Sequence, residues 1–342
     1  MSTAHSLSAC TAKNACFRAS VAPHHLKIRA SKGRALRVTR LECVSAVKFA
    51  SKSKEGKRGE DASFITQEGD LTFLGVYDGR NGASAAQYLK ENFYANLTEE
   101  MKSAPPAKAL VSAYLATDKT MCTSTPPGPF GMFKARGIGG PRCAATAVTA
   151  LVMGDTIVVA NVGDCKALAI KGEEVTLLTE DHSGGNKDER QRIQTAILAT
   201  LKEKGDISAK IGTKDPSKVF RFDTDVTPGT GFTWQLVQAG TSFPVGSAVT
   251  RSMGDAFLKP SDQLPQGYGM IASPFVSAPL PLADATWLVL ASAPVWRFLT
   301  NQEVAAACKG SAEESATAIL AAASAKAGAE EDLTVTVAKL DA

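Results

Sequence analysis

The segment from Ala144 to Leu178 restricts the fold more than any other part of the chain. Ala144–Met153 and Thr156–Asn161 are β-rich runs separated only by Gly154-Asp155, a two-residue hairpin signal. Val162-Gly-Asp164 makes a second turn and Cys165–Ile170 a third run. Lys171-Gly172 turns the chain again before Val175–Leu178. Nothing between these runs is long enough for a crossover helix, so a parallel βαβ unit is excluded and four consecutive strands are expected as an antiparallel meander. Leu333–Leu340 alternates cleanly and closes the chain as another strand.

The stretch Leu71-Thr-Phe-Leu-Gly-Val-Tyr-Asp-Gly79 carries the chemistry. An apolar run ends at a carboxylate, so Asp78 is expected at the strand's end, with Gly79 turning the backbone and lending its carbonyl. Ala62–Thr66 and the Gly69-Asp70 turn make this strand one arm of a hairpin, which brings Glu60 and Asp61 to the edge that holds Asp78. Ala85/Ala86, Leu89, Phe93 and Leu97 mark one apolar face of the helix that follows. Asp164 and the pair Glu331-Asp332 are further acids at strand ends. Carboxylates converging on one edge repel one another unless a cation holds them. With no His or Cys cluster beside them, oxygen-only ligation selects Mg²⁺ or Mn²⁺ over Zn²⁺. A pair of such ions about 3.5–4 Å apart is the usual apparatus for hydrolysing phosphate esters.

Other segments are plainer. A helical piece after Ser103 runs into a Pro/Gly-rich loop, Thr125–Gly131. Arg136-Gly-Ile-Gly-Gly140 lacks the Lys-Ser/Thr of a phosphate loop and reads as a flexible loop. His182 is expected to stabilise a turn. Ile193, Ile197, Leu198 and Leu201 mark a helix stopped by Gly205, and 206–241 reads as an irregular surface excursion, such as a lid over a cleft. Pro244–Asp255 reads as a compact turn segment and Trp287–Ala291 as a buried strand. Thr300-x-x-Glu303 and Ser311-x-x-Glu314 are capping boxes that open helices, the second ending near Gly328.

Charge is distributed unevenly. The first 41 residues hold no Asp or Glu but eight Lys and Arg. Setting those eight of the 38 basic residues aside leaves 30 against 34 acidic ones, so the body is mildly acidic and offers no basic block for a nucleic acid. An Arg-rich, Ser-rich, acid-free segment without a continuous apolar core has the composition of an organellar transit peptide. Residues 1–45 are therefore expected to be a transit peptide or basic tail, with a cut between Ala30 and Ser53, and 46–342 the working domain. A plastid is the expected destination and a mitochondrion the alternative. No apolar run reaches the ~18 residues of a membrane span. Seven cysteines show neither C-x-x-C pairs nor framework spacing, against a disulfide scaffold or a zinc site. A monomer is expected.

Over roughly residues 55–340 the order of motifs resembles the metal-dependent (type 2C, PPM) serine/threonine protein phosphatases. Glu60-Asp61, Leu74–Gly79, Ala145-Thr-Ala147, Val159–Asp164, Leu178–His182, Val249–Asp255 and Leu333–Val337 match the family's landmarks in order. The resemblance implies an α+β fold of four layers, αββα, an antiparallel β-sandwich flanked by helix pairs with a binuclear Mg²⁺ or Mn²⁺ site at one edge. It also implies a phosphoprotein substrate or binding partner. One ion would be held by Glu60, with Asp61 beside it, Asp78 and the Gly79 carbonyl. The other would need Asp78 and the residues at 293 and 331, and Asp164 is a candidate accessory ligand.

The chain departs from that pattern where the chemistry is done. Active members continue Asp-Gly-His-Gly-Gly; here the run is Asp78-Gly-Arg-Asn-Gly82, so the position of the general acid is Arg80, which cannot release its proton near neutrality. Ala-Ser-Asp-Gly-Leu-Trp-Asp becomes Ala291-Ser-Ala-Pro-Val-Trp-Arg297, leaving Ala293 at a metal position and Arg297 at the closing Asp. Glu331 takes the place of the last ligand. The phosphate-gripping Arg falls on Gly56, with Arg58 or Lys57 nearby as the substitute. One unit charge against a divalent ion about 5 Å away is worth roughly 6–7 kcal/mol at an effective dielectric of ~20, before desolvation. A missing carboxylate and an added guanidinium should therefore leave the second ion weakly bound. The expected function is a phosphatase homologue with strongly impaired activity, the alternative a pseudophosphatase that binds phosphoproteins without turnover, with Arg80 and Arg297 as candidate phosphate holders.

Overall fold

The computed structural model describes residues 47–124, 136–203, 220–222, 234–236, 245–261, 267–327 and 330–340. Two antiparallel sheets stack face to face. The first has the order β1 (Lys48–Lys54), β15 (Leu333–Lys339), β14 (Trp287–Ala291), β6 (Lys166–Lys171) and β7 (Glu174–Leu177). The second runs β12 (Phe275–Val276), β5 (Thr156–Val162), β4 (Ala144–Met153), β3 (Leu71–Arg80) and β2 (Ala62–Glu68). Short strands β11 (Met253–Gly254) and β13 (Leu280–Pro281) add to β4 and β5. The fragments β8 (Phe220–Phe222), β9 (Trp234–Leu236) and β10 (Val245–Ser247) pair with one another. The rest of the 206–241 excursion, the 125–131 loop, Gly205 and Gly328 lie outside the described residues.

Side-chain alternation sorts the core into three apolar layers. Along β3, Phe73 and Tyr77 pack under α1 (Ser84–Met101) and α2 (Pro106–Thr123), while Leu74 and Val76 face the other sheet. The inter-sheet layer includes Val148, Ala150, Ile157, Val159, Leu288 and Leu290. Beyond the first sheet, Val289, Val335 and Val337 pack against α4 (Ala293–Phe298), α5 (Asn301–Ala307) and α6 (Ala312–Ala327). The helix predicted by Leu89, Phe93 and Leu97 buries those residues fully, with Phe93 edge-on to Tyr114 of α2 at 4.8 Å. Both capping boxes are present: Thr300 and Glu303 exchange bonds at α5, and Ser311 and Glu314 do so at α6. The Ile193 helix is α3 (Lys187–Glu203).

The four-strand meander is corrected. β4 and β5 belong to one sheet and β6 and β7 to the other, so Val162-Gly-Asp164 is a corner and not a hairpin turn. Gly163 has φ +95°, and a Cβ there would collide with Thr146. His182 fastens this corner: its amide donates to the Gly163 carbonyl at 3.1 Å, and its Nδ1 accepts from the Gly163 amide at 3.2 Å. Local pattern identifies strands, but only the surrounding core decides which sheet receives them. No element is expected at Lys48–Lys54, where Lys and Ser dilute the apolar pattern, yet it pairs along its whole length with β15.

Candidate active site

Parity brings the acids together at one end of the sandwich. Asp78 lies on the same face of β3 as Leu74 and Val76 and therefore enters the inter-sheet space at its rim. Ala62 pairs with Tyr77, so Asp61 follows on opposite Asp78. Ser292 and Thr334, both from the first sheet, bond each other, the Ser292 amide donating to the Thr334 carbonyl and the Thr334 amide to the Ser292 hydroxyl, both at 3.0 Å, and their hydroxyls reach across to Asp61 beside the second sheet. Asp164 arrives from the corner after β5.

The expected turn at Asp78-Gly79 is corrected as well. β3 continues through Gly79 to Arg80, and the reversal falls on Asn81 and Gly82, with φ of +60° and +118°. Gly79 is required for a different reason: a Cβ would strike the main chain of Glu60. That close approach lays Glu60 along the rim, where its Oε1 accepts the Gly82 amide at 2.7 Å.

Burial raises the Asp78 carboxyl well above the usual carboxylate range, and repulsion from Asp61 and Asp164 adds to it; the Ala293 amide and Arg297 pull the other way. Asp61 is lifted to about 6 chiefly by burial, with the Thr334 and Ser292 hydroxyls opposing. Its Oδ2 is buried without a hydrogen-bond partner. Burial, then Asp181, raises Asp164. Three crowded carboxylates and an orphaned oxygen are what a site for a hard cation contains.

Three features work against a full metal pair. Where a carboxylate is needed, Ala293 supplies a backbone amide, which donates to Asp78 Oδ2 at 3.0 Å. Glu331 is engaged by a two-pronged ion pair, with Arg297 nitrogens at 3.2 and 3.1 Å from its two oxygens. Arg80 bonds Asp255 Oδ2 at 2.6 Å and the Ser247 hydroxyl. Asp332, next to the candidate ligand, takes a structural part: its Oδ1 accepts the amides of Gly56 at 2.5 Å and Gly59 at 3.1 Å, and its Oδ2 that of Glu60 at 2.9 Å. Among the described residues, no three His, Cys, Asp or Glu side chains converge as ligands of one ion. Glu60, Asp78 and the Gly79 carbonyl remain as donors for a first ion, which would acidify water and polarise a phosphoryl oxygen. The donor set for a second ion does not fit. Arg80 and Arg297, expected as phosphate holders, have their guanidinium groups committed to carboxylates.

Glu60, Asp78, Arg80, Asp164, Ala293, Arg297 and Glu331 line a cleft of about 620 Å³, to which Thr146, Asp181, Arg58 and Lys57 also contribute; Asp61 and Asp255 are not among its lining residues. The protein phosphatase 2C family model matches residues 43–332. The chain belongs to the protein phosphatase 2C family. It is 28% identical over 266 residues to probable protein phosphatase 2C 59 of Oryza sativa subsp. japonica, covering 75% of this chain and 64% of the relative. It is 30% identical over 275 residues to probable protein phosphatase 2C 11 of Arabidopsis thaliana, covering 77% and 58%. It is 29% identical over 242 residues to the rice probable protein phosphatase 2C member 13, mitochondrial, covering 70% and 51%. The chain thus spans between half and two thirds of these relatives' lengths. In fold it matches the serine-threonine phosphatase 2C of Toxoplasma gondii, with a TM-score of 0.58 at 18% identity over 87% of this chain and 96% of that one. The protein phosphatase 2C family uses Mg²⁺ or Mn²⁺, and the α+β sandwich expected from the sequence is the fold observed.

Sequence reasoning missed Ser292 and Thr334, which flank Asp61, and Asp255, which receives Arg80. Ser292 and Thr334 follow buried strand residues by alternation, a signal available in the runs 287–291 and 333–337. Asp255 has no such signal, because its position depends on Gly254 pairing with Ala144, itself opposite Arg80. The Arg136–Gly140 loop is corrected: Arg136 bonds the Cys122 and Pro260 carbonyls, and the Gly137 and Ile138 amides bond Ser124 and Met121.

Proposed function

We propose that this chain is a protein phosphatase 2C homologue in which hydrolysis of phosphoserine and phosphothreonine esters is strongly impaired, and that it engages phosphorylated proteins through its cleft. The observation that carries this reading is the Ala293 amide on Asp78, where a second ion's carboxylate would be needed. Without that ion, a water nucleophile loses one of its two activating charges. Arg80 in place of a titratable acid favours the stronger form of the proposal, a catalytically inactive regulator that binds phosphoproteins. Glu60, Asp61, Asp78 and Gly79 are the proposed holders of a single Mg²⁺ or Mn²⁺. Glu331 and Asp164 are reserve ligands, and Arg58 is the proposed phosphate contact.

The test is Mn²⁺-dependent hydrolysis of a phosphothreonine peptide by the chain and by its Arg80→His/Ala293→Asp variant. The expected result is turnover at least a hundredfold below the repaired variant. Slow, Mn²⁺-dependent turnover supports the impaired enzyme, and none at all supports the regulator. Comparable rates would overturn both.

We further propose that residues 1–45 form a leader separate from a monomeric domain at 46–342, directing it to a plastid. The acid-free basic composition and the plant relatives support this, while the relative named as mitochondrial keeps the other organelle as the alternative. No described helix is long and apolar enough to cross a membrane. A fluorescent fusion of residues 1–45, imaged in leaf cells, separates the two destinations.

A further inference from the structure

Beside the carboxylate-rich cleft lies a second cavity of about 320 Å³, sharing Arg58, Arg80 and Ala248 with it. The two have opposite electrostatics. The cleft is lined by seven carboxylates against four cationic side chains. The second cavity has three arginines, Arg58, Arg80 and Arg142, against the single carboxylate of Asp255, and that carboxylate is taken by Arg80 at 2.6 Å. Among the described residues, Arg58 and Arg142 make no ion pair. Two guanidinium groups at one small concavity are, among the described residues, left without a carboxylate of their own.

Arg142 is also held in place. Its backbone carbonyl accepts from the Asn81 side-chain Nδ2 at 2.9 Å, and its guanidinium carbon sits 4.8 Å from the centre of the Phe257 ring. The Phe257 amide donates to the Pro141 carbonyl at 2.8 Å, tying the ring to the same turn. Contact with a ring face consumes none of the guanidinium's five N–H donors. The side chain is thereby ordered before a ligand arrives, which lowers the entropic cost of binding. Phe257 is 37% exposed and offers an apolar surface beside the charges.

We infer that this cavity binds the phosphoryl group of a phosphorylated peptide, with Arg58 and Arg142 as its ligands and Phe257 as the floor for the adjoining residue. A phosphomonoester carries about −1.5 to −2 charges at neutral pH, matching two free guanidinium groups that suit its oxygens. Without divalent cations the neighbouring cleft repels the same group. The inference rests on the reading that the chain engages phosphoproteins, and it adds where the phosphate sits. Arg80 joins the two cavities while its own charge is neutralised, so it forms the partition between an acidic and a basic compartment.

The test measures binding of a fluorescent phosphoserine peptide to the full chain in EDTA, beside its unphosphorylated and Glu-substituted counterparts. The phosphopeptide should bind at least tenfold more tightly than either. Arg142→Gln and Arg58→Gln should each weaken it about tenfold. Both side chains are exposed, so thermal unfolding should be unchanged. Lys102→Gln removes the same charge at the far end of α1, a helix about 27 Å long at 1.5 Å per residue, and should leave binding as it is. Equal affinity for the three peptides, or unchanged binding in both arginine variants, would overturn the assignment. The metal-free format keeps this outcome separate from the turnover test: a chain that proves to be a competent Mn²⁺ enzyme still passes or fails here on its own.

Discussion

The backbone amide of Ala293 donates to Oδ2 of Asp78 across 3.0 Å, joining the first turn of α4 to the end of β3. The half-buried Asp78 is pushed toward protonation by desolvation first and then by Asp61 and Asp164, so this amide is one of few groups that favour its charged form. Restoring a carboxylate through Ala293→Asp should raise the demand for a cation. In EDTA the variant should unfold at a lower temperature than the parent. Saturating Mn²⁺ should then stabilise the variant by about 2–3 kcal/mol, as for a ligand present at ~100-fold its dissociation constant. The parent should respond less. Differential scanning fluorimetry with and without Mn²⁺ decides the matter, and equal responses would show that position 293 plays no part in ion binding.

Arg297 withholds Glu331. Both side chains are about a quarter to a third exposed, so solvent screens the pair and its loss in Arg297→Gln should cost no more than about 1 kcal/mol by urea denaturation. The freed carboxylate should tighten Mn²⁺ binding by roughly threefold to tenfold in isothermal titration calorimetry. An unchanged affinity would mean that Glu331 does not reach the ion even when released.

Gly79 is set by packing and not by backbone conformation. In Gly79→Ala a methyl group meets the Glu60 main chain, which belongs to the segment pinned by Asp332 and has little room to retreat. A loss of about 3 kcal/mol is expected, near the upper end for overpacking. Amide exchange at 56–60 should quicken at the same time. A loss below about 0.5 kcal/mol would show that the rim yields readily.

His182 makes stability depend on acidity. Burial first, then Arg251, holds its pKa down at about 4 against an ordinary 6.5, and its Nδ1 accepts the Gly163 amide, as only the neutral ring can. The contribution is complete above pH 6.5 and declines as pH falls from there toward 4, because the unfolded chain takes up the proton first. The full effect is on the order of 3 kcal/mol. Comparing urea midpoints at pH 7.5 and 4.5 for the parent and His182→Gln isolates it from the carboxylates that titrate in the same range. The variant should lose about 2 kcal/mol less than the parent between those conditions. Parallel losses would remove the histidine from the account.

Much of this arrangement was legible in the residues. The apolar run at 71–77, the alternation of 333–340, the four-residue spacing of the Leu89 helix and both capping boxes are local signals, and each produced the element it announced. The acids at strand ends were legible for the same reason, since a strand's parity and its last residue fix where a side chain emerges. What could not be read depended on distant partners. Arg297 looked free to hold phosphate until Glu331 was placed opposite it. Asp332 looked like a companion ligand, whereas its carboxylate gathers three amides from a loop more than 270 positions earlier. The corner at Gly163 looked like any turn, because the residue that makes it a corner, Thr146, belongs to another strand.

The pairing of β1 with β15 has a consequence for how the molecule is made. Residues 48 and 339 are neighbours across that ladder, so the sheet to which β1 belongs cannot be finished until the ribosome has released the segment 333–339. During synthesis β1 waits without its partner, and any product that stops short of Leu333 exposes two open strand edges, those of β1 and β14, to neighbouring nascent chains. Closure of this sheet therefore hangs on residues 333–339, and until they are made β1 has nothing to pair with.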